Sequence, residues 1–327
     1  MKKAVFLGDR GNIDSVYAVT KDKLAGVLEF IEPVYDRKEL DRCGDVNYIF
    51  STWGMWRFTK EQIAEYFPSL EAVFYAAGSV QGFARDFIES GVKVFSAWAA
   101  NAIPVAQFTT AEILLALKGW YASVHRAGET WRTHGGAREF PGIMDEKVGI
   151  IGAGMIGKMV IDALRAYPVE VLVYDKFMSG DDIAALGGKK ASLEEIFSEC
   201  LVISNHLANL PATVGMLDYG LFSRMRKHAT FINTGRGAQV VADDMIRALR
   251  EDETRVALLD VTDPDEPPHA GSELYTMPNV FLTPHIAGSM GNEIHRMAEF
   301  MYVEYTALSE GKPTRFEVTA GMLKTMA

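Results

Sequence analysis

Three side chains that can move protons or bind anions each follow an apolar run typical of a buried strand. Arg236 follows "ATFINTG", Glu266 lies just after "RVALLDVTDPD", and His285 follows "NVFLTP". Open parallel sheets bind their ligands outside the carboxyl ends of their strands. Each residue alone has an ordinary explanation as a loop residue, but three of them at one edge of one sheet predict a functional site.

The chemistry of these three side chains fits together. Reduction of a ketone creates an alkoxide that needs a proton, and histidine is the side chain that titrates closest to neutral pH. A neighbouring carboxylate orients the ring and favours its protonated form. Arginine binds a carboxylate through two parallel hydrogen bonds and polarises an adjacent carbonyl. We therefore predict His285 as the acid/base, Glu266 as its partner and Arg236 as the substrate-binding residue.

A glycine-rich stretch, "GAGMIG", follows the apolar run "KVGII" and opens a predicted helix. Gly152 permits the tight turn, Gly154 lets the backbone approach a pyrophosphate, and Gly157 allows close packing of helix and strand. The first residues of the helix, among them Met155 and Ile156, present free N–H groups to the phosphates. This spacing in this context predicts a dinucleotide site.

Asp175 indicates which dinucleotide binds. It ends the apolar run "VEVLVYD", at about the 20-residue spacing at which an acid binds the adenosine ribose. A carboxylate there repels a 2′-phosphate, so we predict NAD in preference to NADP. Lys176 beside it weakens that preference.

The elements that must hold these residues are strands alternating with helices, a pattern that indicates βαβ units and parallel sheets. The predicted strands of the first hundred residues are "AVFLG", "IEPVYD", "VNYIFST", "EAVFYAAG" and "VKVFSA". Those of the second series are "KVGII", "VEVLVYD", "LVISNH", "ATFINTG", "RVALLDV" and "NVFLT". The sequence predicts an α/β protein in which a Rossmann doubly wound domain, 103–290, is inserted into a smaller flavodoxin-like α/β substrate domain, 1–102 with 291–327.

Two helices and an arm complete the predicted organisation. One long helix should start at Pro104, because proline fits a first helical turn, and it is followed by a Gly-rich surface arm, "ETWRTHGGAREFPG". A helix after the second series places its apolar residues on one face, which we expect to pack in the core. These residues are Ile294, Met297, Met301, Tyr305 and Leu308.

Composition limits the classes of partner. The chain has 327 residues and a formal charge of −10, without a long basic block. That argues against nucleic acid or an anionic membrane as the main partner. Cys43 and Cys200 have no metal-ligand spacing, so we expect neither a metal site nor a disulfide framework, and we expect a cytoplasmic protein.

As a set, five stretches resemble the D-2-hydroxyacid dehydrogenase family, which includes glyoxylate/hydroxypyruvate reductases and phosphoglycerate dehydrogenases. The resemblance covers roughly residues 95 to 300 and implies the same roles for Arg236, His285 and an acid near position 266. The stretches are "VAQFT", "VGIIGAGMIG", "FINTGRGAQV", "ALLDVTDPDEPP" and "PNVFLTPHIAG".

The resemblance also implies further cofactor residues. Thr109 and Asp260 should touch the cofactor, and Asn233 and Thr234 should lie in the loop beside it. His206 matches a position on the cofactor side, where we expect a wall residue and not a second acid/base.

The chain departs from the family pattern at two places. Gln107 stands where the family usually has glutamate, which affects a local hydrogen bond and not the mechanism. The stretch "DVTDPDEPP" carries one residue more than usual. Counting forward from Asp260 selects Asp265 as the histidine partner, whereas counting back from His285 selects Glu266, which we favour.

By the same resemblance, the substrate carboxylate should bind in the loop after the fourth strand of the first domain, "YAAGSVQG". Its contacts should be backbone N–H groups of Ala77, Gly78 and Ser79. Phosphoglycerate enzymes carry a basic residue near this loop, and the sequence shows none there.

The leading hypothesis is therefore an NAD-dependent reductase of 2-oxo acids to D-2-hydroxy acids. The alternative from another class is an NAD(H)-sensing binding protein of the same fold, similar to the family's corepressors. An enzyme of similar fold with different chemistry is a third possibility. We also expect a homodimer, because the helix from Pro104 and the arm around Trp131 resemble the family's dimerisation elements.

Overall fold

The structure is a computed structural model that describes residues 1–124 and 140–324. Its strands, numbered along the chain, are β1 (Lys3–Phe6), β2 (Glu29–Phe30), β3 (Tyr48–Ser51), β4 (Ala72–Tyr75), β5 (Lys93–Ser96), β6 (Glu146–Ile151), β7 (Val169–Tyr174), β8 (Lys189–Lys190), β9 (Val202–Asn205), β10 (Thr230–Asn233), β11 (Val256–Leu259), β12 (Val280–Leu282) and β13 (Glu317–Val318).

The α-helices alternate with these strands. They are α1 (Arg10–Val16), α2 (Lys21–Ala25), α3 (Lys60–Tyr66), α4 (Ala84–Glu89), α5 (Trp98–Leu117), α6 (Trp120–Val124), α7 (Met155–Leu164), α8 (Gly180–Ala185), α9 (Leu193–Glu199), α10 (Tyr219–Phe222), α11 (Ala242–Glu251) and α12 (Ile294–Ser309). Short 3-10 helices cover Arg37–Cys43, Gly237–Gln239, Glu273–Tyr275, Gly291–Glu293 and Met322–Lys324.

The chain divides into two compact units. One consists of Met1–Ala102 with Ser289–Ala327, and the other of Ile103–Gly288. The second boundary therefore lies two residues before the one expected from the sequence.

The first unit contains a six-stranded sheet in the order β13-β5-β4-β3-β1-β2. Strands β1 to β5 are parallel, in the 2-1-3-4-5 order of flavodoxin-like folds. Strand β13 returns antiparallel to β5, with Glu317 opposite Phe95. The methionines of α12, Met297 and Met301, are fully buried in the core of this unit, which confirms their predicted packing role.

The second unit contains a seven-stranded parallel sheet in the order β12-β11-β10-β9-β6-β7-β8. Counted from β6, this is the 3-2-1-4-5-6 order of a doubly wound dinucleotide fold with one further strand. Two apolar clusters of buried side chains pack in this unit. The predicted Rossmann fold is confirmed, and β8 is a short strand that the sequence pattern did not show.

One predicted strand is wrong. The run "IEPVYD" forms no ladder, because β2 ends at Phe30 just before it. Within that run Val34 pairs with Leu7 through an isolated bridge. Pro33 precedes this bridge, and proline has no N–H to donate to a sheet.

The long helix α5 also begins elsewhere than predicted. It starts at Trp98, so Pro104 lies inside it and not in its first turn. It ends at Leu117, where the prediction ran on, because Gly119 takes a left-handed φ of 64° before α6 begins. A Cβ at Gly119 would lie 2.4 Å from the ring of Phe140, so only glycine fits this break.

By length and composition alone α5 is able to cross a membrane. However, 56% of its apolar 18-residue stretch is buried inside the protein, as in a core helix. Most of the predicted arm "ETWRTHGGAREFPG", including Trp131, lies outside the described residues.

Candidate active site

The three predicted catalytic residues follow β10, β11 and β12, which are neighbours in the second unit's sheet. His285 Nδ1 lies 2.5 Å from Glu266 Oε1, within hydrogen-bonding distance and shorter than a usual N–H···O bond. Their side chains are 49% and 42% exposed, so the pair contributes little to stability and serves to orient the ring. Of the two acids that the sequence left open, the structure places Glu266 against His285, while the backbone oxygen of Asp265 accepts from Thr262.

The turn that carries His285 is held by Asp260. His285 has a left-handed φ of 56°, which is uncommon for a residue with a side chain. Asp260 Oδ1 accepts hydrogen bonds from Thr283 Oγ1 (2.6 Å) and Ile286 N (2.7 Å), and Oδ2 accepts one from Ala287 N (2.9 Å). Because these donors lie on both sides of His285, the buried carboxylate fixes the direction in which the imidazole points.

Arg236 provides the cation of the site. It is partly buried, and its Nη1 donates to the backbone oxygen of Gly235 at 2.7 Å. Burial lowers the pKa of Arg236, and the negative charge of Glu266 opposes that shift. A guanidinium stays charged across the physiological range, so a desolvated positive charge is ready to bind a carboxylate.

The glycine loop fits a dinucleotide. Gly152 has a φ of 92°, and a Cβ there would lie 2.8 Å from the backbone oxygen of His206. A Cβ on Gly157 would lie 2.1 Å from the oxygen of Gly152, whereas one on Gly154 would have no atom within 4 Å. The loop is therefore packed on its inner side and open at Gly154, where α7 begins at the next residue, Met155. An open helix N-terminus of this kind accepts a pyrophosphate.

Asp175 directly follows β7 and is bonded to the same loop. Its Oδ2 accepts from Ala153 N at 2.8 Å, and its Oδ1 accepts from Phe177 N and Met178 N. These three bonds hold the carboxylate beside the glycine loop, in the position that a ribose-binding acid requires.

The other predicted cofactor residues surround these loops. Thr109 Oγ1 and Thr234 Oγ1 lie 2.8 Å apart, and both side chains are buried. Asn233 is buried at the end of β10. His206 Nε2 contacts Ser204 Oγ at 3.0 Å, and its buried Nδ1 has no partner among the described residues. Burial lowers the pKa of His206 to about 4, so the ring is neutral at pH 7 and carries no proton to donate as an imidazolium.

The predicted substrate loop follows β4 in the first unit. Ser96 Oγ donates to the backbone oxygens of Ala77 and Gly78, at 2.9 and 2.6 Å. Of the three predicted donors, Ala77 N is not free, because it donates to the backbone oxygen of Tyr75 at 2.9 Å. In the described part of the chain, no residue accepts a hydrogen bond from the N–H groups of Gly78 or Ser79. Two neighbouring free donors are what a carboxylate needs.

The expectation that no basic residue lies near this loop is wrong. The guanidinium of Arg57, from the segment after β3, lies 3.6 Å from the position that a Cβ on Gly82 would take. No described carboxylate pairs with Arg57. The sequence did not show this because Arg57 and Gly82 belong to different loops, which meet only because β3 and β4 pair.

A buried acid in α5 was also missed. Glu112 is 8% exposed, and its Oε2 has no hydrogen-bond partner in the described part of the chain. Burial, and secondarily the charge of Asp260, raise the pKa of Glu112 to about 8. In the sequence it appears only as a polar interruption of an apolar helix.

As to metals, the described residues contain no group of three His, Cys, Asp or Glu side chains able to hold an ion.

Comparison with known families shows to which family the chain belongs. Residues 113–287, more than half of the chain, match the family described as "D-isomer specific 2-hydroxyacid dehydrogenase, NAD binding domain". The chain belongs to the D-isomer specific 2-hydroxyacid dehydrogenase family. The NAD-binding domain predicted from the glycine loop is thereby confirmed.

Individual members of the 2-hydroxyacid dehydrogenase family are similar over much of the chain. D-3-phosphoglycerate dehydrogenase of Haemophilus influenzae is 32% identical over 80% of this chain and 64% of its own length. Glyoxylate reductase of Aeropyrum pernix is 30% identical over 63% of each chain. The alignments thus span somewhat under two thirds of the length of these relatives.

A solved structure in the family supports the fold. D-mandelate dehydrogenase of Rhodotorula graminis superimposes with a TM-score of 0.81 over 97% of both chains, at 21% identity.

In this 2-hydroxyacid dehydrogenase family member, Glu112 should make stability depend on pH. The folded state keeps the Glu112 proton that the unfolded state releases above about pH 4.5, so stability should fall as the pH rises from there to about 8. Replacing Glu112 by glutamine removes this loss. We expect Glu112→Gln to be close to wild type at pH 5 and more stable by about 1–3 kcal/mol at pH 8.5.

Urea unfolding at several pH values measures this difference. Glu253→Gln, which changes an exposed acid of the same unit, is the matched control and should leave the pH dependence unchanged. An equal effect of Glu112→Gln at pH 5 and pH 8.5 would show that Glu112 is not held protonated.

Proposed function

We propose that this protein is an NAD-dependent enzyme that interconverts a 2-oxo acid and a D-2-hydroxy acid. The observation that carries the proposal is the 2.5 Å contact between His285 and Glu266, at the sheet edge that also carries Arg236. An acid–base pair and a desolvated cation at the carboxyl edge of an NAD-binding sheet are the groups that carbonyl reduction requires.

Each residue has one task in this proposal. His285 holds a proton on its ring and gives it to the carbonyl oxygen of the substrate, while Glu266 orients the ring through Nδ1 and stabilises its positive form. Arg236 binds the substrate carboxylate and polarises the carbonyl. When bound, NADH supplies the hydride that reduces the carbonyl carbon.

The remaining residues bind and orient. The glycine loop holds the pyrophosphate, and Asp175 binds the adenosine ribose. The cofactor contacts further along are assigned to Thr109, His206, Asn233, Thr234 and Asp260. The free N–H groups of Gly78 and Ser79, beside Ala77, are assigned to the substrate carboxylate.

The assay that tests this function follows NADH absorbance with a panel of 2-oxo acids from glyoxylate to phenylpyruvate. The panel includes acids with and without a second acidic group, because Arg57 flanks the substrate loop. His285→Ala should lower kcat by about two to four orders of magnitude, the range for general acid–base catalysis. NADH binding should change little, since the ring serves the substrate. Turnover that survives His285→Ala, or no turnover with any acid, would favour an NAD(H)-binding protein.

The partner acid provides a separate test. Glu266→Gln removes the carboxylate that orients the ring through Nδ1, so kcat for ketone reduction should fall while NADH binding changes little. Asp265→Asn is the matched control, because His285 Nδ1 contacts Glu266 Oε1, whereas Asp265 contacts Thr262 Oγ1 through its backbone oxygen. A fall in kcat in the Asp265 variant alone would show that the partner role belongs to Asp265 and not to Glu266.

The cofactor preference tests Asp175. Because its carboxylate is held beside the glycine loop, NADH should have a kcat/KM at least about tenfold above that of NADPH. Asp175→Ala should narrow the ratio by removing the repulsion of the 2′-phosphate. Equal use of both cofactors by the wild type would contradict this role.

We also propose a homodimer. Helix α5 exposes Gln107, Ala111 and Leu115 in successive turns, and Leu115 is 39% exposed. Light scattering at micromolar concentration should give twice the chain mass of 36.1 kDa. Leu115→Glu should shift the protein toward the monomer, whereas a monomeric wild type would exclude the dimer.

A further inference from the structure

Three amide side chains are buried together behind Arg236. Asn205 ends β9 and Asn233 ends β10, and the two residues face each other in the parallel register. Gln239 lies in the 3-10 helix that follows Arg236. Asn205 and Gln239 are 0% exposed and Asn233 is 1% exposed. Burying amides at this depth is unfavourable unless hydrogen bonds replace those to water.

These side chains bond both the backbone N–H group and the backbone oxygen of Arg236. Gln239 Oε1 accepts from Arg236 N at 3.2 Å, and Asn233 Nδ2 donates to the Arg236 backbone oxygen at 3.1 Å. Asn205 joins the two holders, because its Nδ2 donates to Asn233 Oδ1 at 3.0 Å and to Gln239 Oε1 at 3.3 Å. Its Oδ1 accepts from Leu207 N in the loop after β9.

The backbone of Arg236 in turn places the guanidinium. Arg236 Nη1 donates to the neighbouring backbone oxygen of Gly235, and Gly235 N donates to Asn233 Oδ1. The charged group is therefore tied to the same short loop that the amides hold. A shift of that loop moves the guanidinium with it.

Three buried amides are not the most stabilising side chains that could fill this space. Gln239 Nε2 is buried without a partner in the described part of the chain, and an unpaired buried donor costs about 1–3 kcal/mol. Apolar side chains of similar size would avoid that cost. They would not offer an acceptor to the Arg236 N–H group.

We infer that Asn205 and Gln239 are positioning residues that set where Arg236 meets the substrate carboxylate. This inference rests on the proposed function for the role of Arg236. The two residues act through the loop that carries Arg236, so their loss should affect substrate use more than dinucleotide binding.

Three variants test this: Gln239→Met, Asn205→Leu and the double variant, in which both amides become apolar side chains of similar size. In each, kcat/KM for the 2-oxo acid should fall about 10- to 100-fold, with KM raised, because small misplacements of a binding group carry penalties of that order. The Kd for NADH should stay within about twofold in Gln239→Met, whose side chain does not bond Asn233, and should change less than kcat/KM in the two variants that lack Asn205. The double variant should lose less Tm than the sum of the two single losses, since neither amide is left facing a missing partner, although the N–H groups of Arg236 and Leu207 still lack their acceptors.

Hydrogen exchange by mass spectrometry tests the same point without any substrate. Loss of the Gln239 acceptor should speed exchange in the peptide that contains Arg236, in Gln239→Met and in the double variant. Asn279→Leu is the matched control. Asn279 is a buried amide of the same unit that donates to the backbone oxygens of Leu249 and Arg255, so its loss should lower Tm without changing KM.

Two results would overturn the inference. One is unchanged exchange at Arg236 in Gln239→Met, and the other is a double variant whose kcat/KM recovers together with its Tm, which marks a purely structural role. A wild type that turns over no 2-oxo acid would instead remove the proposed function, and the exchange measurement would still decide whether the amides hold Arg236.

Discussion

The geometry of the site depends most on one buried carboxylate, that of Asp260. It is 4% exposed and accepts hydrogen bonds from Thr283, Ile286 and Ala287. A charge buried at this depth is tolerated only when donors replace water. All three donors come from the segment that contains His285, so satisfying the carboxylate also fixes this turn. The left-handed backbone at His285 persists because the surrounding bonds leave the chain no other path.

The register of the parallel sheet fixes where the neighbouring loops begin. Asn205, Asn233 and Leu259 stand side by side in β9, β10 and β11. Three loops therefore leave the sheet at the same level. The loop after β10 is held by amide side chains, and the loop after β12 by Asp260. Strand pairing supplies the common level, and short side chain–backbone bonds supply the directions in which Arg236 and His285 point.

Glu112, unlike Asp260, is a buried acid whose hydrogen bonds are incomplete. It lies close enough to Asp260 for the two charges to repel, and one of its oxygens has no partner in the described part of the chain. Protonation of Glu112 removes this repulsion. With a pKa of about 8, Glu112 is therefore mostly neutral at pH 7 beside the carboxylate that organises the His285 turn.

Much of the fold and of the site follows from the sequence alone. Apolar runs of strand length, the glycine spacing and the acid at the end of β7 are local signals, so the Rossmann unit and Gly152, Gly154 and Asp175 are readable from chain order. The placement of Arg236, Glu266 and His285 at one edge also follows, because parallel strands share one carboxyl edge. The run "IEPVYD" was predicted as a strand although its proline argues against pairing, and Pro104 misled the prediction of where α5 begins, because the packing that extends the helix upstream leaves no local signal.

Only the tertiary structure decided which groups meet. Asp265 and Glu266 are adjacent in sequence, and the path of the loop after β11 determines that Glu266 faces His285. Arg57 lies beside Gly82 because β3 and β4 pair, and Asn205 joins Asn233 and Gln239 because β9 and β10 pair. These contacts link residues that are distant in the chain or that differ by one position in an irregular loop. Their geometry is set by backbone dihedrals and strand register, which leave no local signal in residue type or spacing.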